Sequence, residues 1–233
     1  MSALPDVATT TVPTSEARSA LDLPVSWGWP EQDTIDVDAP YRQLLPAGGL
    51  AGGQLVTVTG ATSVVLALLA RPSREGSWCA LVGAPTVGLA AAQELGVDLR
   101  RLLLIPKAAD RFSDVLTALI DAVDIVAFQL PPQLPQALLR RLIARARTRR
   151  VPLVAFAPPG TYPTGSGNLE GATVHLAVQH RWSGLGDGHG HLRQRRMDIR
   201  ATGRGRAARP THVEVVAPEV ASISTALATA EAS

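Results

Sequence analysis

Apolar residues along this chain fall into a regular series of short blocks. Residues 54–59 alternate and are β-branched, which predicts a strand. Residues 60–63 predict a tight turn, and 64–71 a short, nearly fully buried helix. Residues 78–82 predict a second strand and 87–95 a helix; residues 102–105 predict a third strand. Ser113 is placed to cap a helix carrying Val115, Leu116, Leu119, Ile120 and Val123. Residues 125–128 predict a fourth strand, 133–147 a longer helix, and 151–157 a fifth strand. Apolar strands without alternation, interleaved with helices, are the pattern of a parallel sheet covered on both faces.

The pattern changes after residue 157. Residues 158–168 are rich in Pro and Gly and predict a loop. Strand-like runs at 173–179, 192–201 and 211–217, joined by Gly-rich turns at 184–190 and 203–205, predict an antiparallel extension of the sheet. The fold class expected is therefore α/β. Residues 219–230 predict a short amphipathic helix through Val220, Ile223 and Leu227, spaced for docking in a partner's groove. At the other end, 1–20 read as disordered. Residues 21–45 read as an extended arm whose Leu21, Leu23, Trp27 and Trp29 lie on the protein's own core or on a partner. Three divisions follow: 1–45, 46–217 and 218–233.

Of 233 residues, 46% are apolar and 18% charged, which excludes a wholly disordered chain. Aromatics, at 4%, are too few for a base-stacking RNA platform. The longest strongly apolar run, 64–70, is too short to span a membrane. Residues 1–14 have neither a basic nor an apolar leader segment, so a cytoplasmic location is expected. Cys79 is the only cysteine, which excludes an internal disulfide and any zinc site needing two cysteines. In a predicted buried strand, its expected role is inert core. His189 and His191 have no cysteine or carboxylate cluster beside them and read as turn histidines; no metal or cofactor is expected.

Charge is segregated. Residues 1–124 hold 8 basic and 14 acidic side chains, whereas 125–213 hold 14 arginines against Glu170, Asp187 and Asp198. Lys107 is the only lysine. Arg140, Arg141 and Arg145 fall on the polar side of the 133–147 helix. Arg193 and Arg195 share one strand face, and Arg196 and Arg200 the other. Arg204 and Arg206 flank Gly205, with Arg209 beyond. The plainer account is a solvated surface or an acidic protein partner; the alternative is sequence-independent, salt-sensitive DNA binding.

A strand, a Gly-initiated turn and a helix form the setting of a phosphate-binding loop. Such a loop needs Gly-Lys-[Ser/Thr] five residues after its first glycine. Counting from Gly60, those positions are Val65, Leu66 and Ala67. The loop's geometry has room to survive there, but its chemistry does not.

Residues 46–217 resemble the core of RecA. The resemblance rests on residues 48–60 (GGLAGGQLVTVTG), 94–104 (ELGVDLRRLLL) and 123–128 (VDIVAF), in that order and spacing. It implies that the Walker B aspartate position is Gln129 and that the catalytic glutamate position lies near Pro85. Every ATP-handling group is then missing together. It also implies that the loops lining RecA's DNA channel correspond to 130–135 and 158–171, neither of which holds a basic residue. Among RecA-fold pseudo-ATPases the chain is most similar to the ImuA family, in particular its short ImuA-prime form. That similarity implies a non-enzymatic accessory role in SOS-induced mutagenesis and translesion synthesis. The partners implied are ImuB, an inactive Y-family polymerase homologue, and RecA or DNA. Two alternatives are a SulA-type cell-division inhibitor, which residues 46–128 fit equally, and a divergent nucleotide hydrolase built on Lys107 and Asp110.

Overall fold

The computed structural model describes residues 34–157, 169–186 and 189–217. The arm with Trp27 and Trp29, most of the 158–171 loop, and the segment with Val220, Ile223 and Leu227 lie outside the described residues.

Five parallel strands form as the sequence predicts: β3 (Leu55–Thr59), β4 (Cys79–Val82), β5 (Leu102–Ile105), β6 (Ile125–Gln129) and β7 (Leu153–Ala157). Three more follow: β8 (Val174–Gly186), β9 (His189–Gly203) and β10 (Thr211–Ala217). Together they make one eight-stranded sheet in the order β10-β9-β8-β3-β7-β6-β4-β5. β8 runs parallel to β3, while β9 is antiparallel to both β8 and β10. β9 is thus the one strand reversed against the other seven. The α/β class and the antiparallel C-terminal extension are as expected.

Helices cover both faces because the strands are apolar on both. α2 (Thr62–Arg74) and α3 (Leu89–Glu94) pack on the side of Val56, Val58, Leu81, Ala127 and Phe156. α4 (Phe112–Ala122) and α5 (Gln136–Arg149) pack on the side of Leu55, Val82, Val126, Phe128 and Leu153. Phe112 meets Phe128 edge-on, with centroids 5.9 Å apart. The β3–β8 register places Thr57 opposite His175, and Thr57 Oγ1 lies 2.9 Å from His175 Nδ1. Cys79 is fully buried, and burial pushes its thiol pKa up, in keeping with a core role.

Four details differ from the sequence reading. The core begins earlier than residue 46: β1 (Thr34–Asp36) pairs with β2 (Gly49–Ala51), and α1 (Ala39–Arg42) lies between them. Val37, Tyr41, Leu44 and Leu45 are buried in the main core, so this part of the arm belongs to its own domain. α2 continues past Arg71 through Pro72, whose missing N–H falls in the last turn, where Ser73 Oγ donates to the Ala70 carbonyl at 2.8 Å. Ser113 does not cap α4; a short 3₁₀ turn, Ala109–Arg111, leads into it and Arg111 takes the cap position. The glycines at 184–190 largely continue the ladder, which runs to Gly186 opposite His189.

Candidate functional site

The parallel strands bring their C-terminal ends to one edge, where open α/β sheets carry ligands. Gly60, Pro85 and Gln129 lie there, at the ends of β3, β4 and β6. The connection from β3 to α2 is only Gly60 and Ala61, and the helix starts at Thr62. A phosphate cradle needs several successive loop amides, and two residues do not supply them. Val65, Leu66 and Ala67 are 0%, 4% and 5% exposed and belong to the core between α2 and the sheet. The loop's geometry has therefore gone with its chemistry, a correction to the sequence reading. Helix has propagated backwards into the segment where the cradle would be.

The closed turn is sealed by β8 and β9. Gly60 has φ of +94°, and a Cβ there would strike the Val178 carbonyl. His180 Nε2 lies 2.7 Å from the Gly60 carbonyl, to which it donates. Its Nδ1 accepts from Arg195 Nε at 3.2 Å, so the imidazole bridges the turn to Arg195. The Arg195 guanidinium also lies 5.6 Å from the Trp182 ring centroid, a cation–π distance. Burial disfavours its charged form and lowers its pKa. Arg195 is thus not a free surface cation, as the strand pattern alone suggests, but part of this seal.

Gln129 is half-buried and packs against Gly83, while Pro85 is exposed. Lys107 and Asp110 are both exposed between β5 and α4. Among the described residues, no group of three His, Cys, Asp or Glu is placed to hold a metal ion.

The remaining arginines separate by partner. Arg140 donates to Glu170 Oε1 at 2.6 Å. Arg145 and Arg149 both clamp Asp121, whose carboxyl is held below its usual range chiefly by the Arg145 hydrogen bond. Arg196 faces Glu214 at 3.2 Å, and Arg181 faces Asp198 at 3.5 Å. These are exposed pairs, worth at most about 1 kcal/mol each. Arg141, Arg200, Arg204 and Arg209 are exposed. The β9 register puts Arg196 and Arg200 on one face and Arg195 on the other, as expected; the side chains of Arg193 and Arg206 lie outside the described residues. Sequence reasoning missed His180 as a neighbour of Gly60, Trp182 as a neighbour of Arg195, and Glu170 and Asp121 as arginine partners. Only the strand alternation of 178, 180 and 182 could have pointed to the first two.

Residues 43–161, from before β2 to just beyond β7, match the family described as MT3502 N-terminal domain. An uncharacterized protein of Mycobacterium tuberculosis, Rv3395c, is 34% identical over 138 residues. The match covers 58% of this chain and 64% of that relative, a little under two thirds of its length. No helix among the described residues is long and apolar enough to cross a membrane.

Proposed function

The chain belongs to the MT3502 N-terminal domain family, and from that premise we propose that it is a non-catalytic accessory protein of SOS-induced translesion synthesis and mutagenesis. The observation that carries the reading is the β3–α2 junction. Where the RecA resemblance would place a phosphate cradle with its lysine and hydroxyl, the chain has a two-residue turn and the buried Val65, Leu66 and Ala67. A protein that keeps the layered sheet but fills the nucleotide position with core side chains is suited to presenting surfaces rather than turning over a substrate. The ImuA-prime resemblance of residues 48–60, 94–104 and 123–128 supplies the biological setting: a cytoplasmic adaptor that docks an ImuB-like inactive polymerase homologue, with RecA as a second partner and no cofactor.

The test is capture of purified candidate partners by the whole chain, with a nucleotide-hydrolysis assay run alongside. Retention of the ImuB-like protein, without ATP turnover, is the expected result. Mg²⁺-dependent turnover would replace the proposal with a divergent hydrolase. Retention of the tubulin-like division protein in place of the ImuB-like protein would replace it with a SulA-type inhibitor.

A further inference from the structure

One groove lies at the far end of β3 from Gly60, on the N-terminal edge of the sheet. Its volume is about 400 Å³, and Gly52, Gly53, Gln54, Arg147, Thr173 and Arg204 are among its lining residues. The topology explains why two arginines meet there. α5 runs back from the C-terminal edge after β6, so its last turn arrives at this edge. β9 is the reversed strand, so its C-terminal end arrives there too. Arg147 and Arg204 come from the two separate arginine groups of the sequence and line one groove.

Their environment sets them apart. Arg140, Arg145, Arg149, Arg181 and Arg196 each face a carboxylate. Arg147 and Arg204 are exposed, have no ion pair with any described residue, and no described residue lining the groove is a carboxylate. Two guanidinium groups in one concave site without a counter-charge raise the local positive potential, and an anion placed there relieves it. Gln54 turns its carbonyl onto the Ala51 N–H at 3.0 Å, so the polar group it has left to offer is its NH₂ donor. Gly53 has φ of +73°, and a Cβ there would sit 2.6 Å from Arg147 Cα. Bare backbone at this point lets α5 close against the turn and fixes Arg147 at the rim.

We propose that this groove seats a backbone phosphate of a nucleic-acid strand. A polyanion fits better than a small anion because a further exposed arginine, Arg209, follows Arg204 in the same β9–β10 connection. No described residue lining it is aromatic, so the strand would be held through phosphates without stacking or base readout. This goes beyond the accessory reading, which needs no nucleic-acid contact.

The experiment is fluorescence anisotropy of the whole chain with short labelled single strands of unrelated sequence, from about 50 to 200 mM salt. Wild type should bind all of them alike and lose affinity as salt rises. The double variant R147A/R204A should weaken binding about tenfold or more for every sequence and lower the log–log salt slope by about 0.7 per lost contact. R147K/R204K, which keeps the charge, should retain most of the binding, and R100A, an exposed arginine beside β5 at the far end of the sheet order, should leave it unchanged. Circular dichroism melts confirm that each variant is folded, as expected for exposed side chains. Unchanged affinity in R147A/R204A, or no binding by wild type at low salt, overturns the proposal. Equal displacement by polyglutamate would make the groove a site for an acidic protein, and equal displacement by inorganic phosphate a small-anion site; either result overturns the nucleic-acid assignment.

Discussion

Restoring the missing lysine is the sharpest test of the β3–α2 junction. Leu66 stands at the lysine position of the motif but is 4% exposed within the core under α2. L66K removes a buried leucine, worth about 1.5–3 kcal/mol of apolar burial. It also places an ammonium where desolvation costs several kcal/mol, near the positive end of the helix, for about 0.5 kcal/mol more. Partial escape of the long side chain toward solvent offsets some of this, leaving a net loss of about 4–5 kcal/mol. Against a typical stability of about 5–15 kcal/mol, that is a large share. In urea, with a slope of about 2 kcal/mol/M, the midpoint should fall by roughly 2 M. L66A, which leaves a cavity but no charge, should cost about 2–5 kcal/mol. Neither variant should gain stability from ATP with Mg²⁺. If Leu66 faced an open phosphate site, L66A would cost under about 1 kcal/mol, and L66K would be near neutral and stabilised by nucleotide. That outcome would refute the reasoning.

Three further outcomes follow from side chains near the sheet. Asp124 is 9% exposed and accepts the Trp78 N–H at 2.7 Å; burial raises its pKa, against the pull of that bond and of Arg101. A raised folded pKa makes its contribution to stability greatest below the unfolded value, near 4, and lost as pH climbs through the folded value. D124N keeps an acceptor without the charge, so that decline above pH 4 should flatten in urea midpoints, whereas an unchanged profile would count against the assignment. G60A should cost about 1–3 kcal/mol by thermal or urea melts, because φ of +94° and the Val178 carbonyl both oppose a side chain. G76A, at φ of +99° with nothing within 4 Å, isolates the backbone part and should cost less. Cys79 should resist iodoacetamide in the native protein and react only at the rate of unfolding, since it is fully buried with its thiol pKa pushed up; fast native labelling would contradict the packing.

The parallel strands were legible because each is a short apolar run between turn residues, and β5 lies where the pattern places it. The elements missed were those whose local signal is weak. β1 and β2 are three residues each, and Gly49 reads as turn until Thr34–Asp36 supplies a partner. The outer part of the β8–β9 ladder is built from glycines, which carry little strand preference of their own. At the junction, the residue types gave away the lost chemistry, but not that α2 starts at Thr62. The two extra residues at its start, Thr62 and Ser63, lead into Val64 and Val65, which bury against strands far along the chain. Partner choice among the arginines was equally invisible. Arg145 meets Asp121 only because α4 and α5 lie side by side on one face, and Arg140 meets Glu170 only because the connection into β8 passes α5.

The strand order also dictates when this protein can finish folding. β3 is synthesised first among the eight strands of the large sheet, yet both of its neighbours come late: Val58 pairs with Phe156 on one side and with Leu176 on the other. At about 5–20 residues per second, β3 waits roughly 5–20 s on the ribosome for its first partner. Throughout that time its two edges carry unpaired N–H and C=O groups on an apolar strand, the kind of surface that recruits other chains. Such long-range pairing lowers folding rates and makes release before residue 174 hazardous. Chains that end between β7 and β8 would keep one side of their central strand open, so any shortened form of the protein that stays monomeric must reach at least into the β8–β9 hairpin.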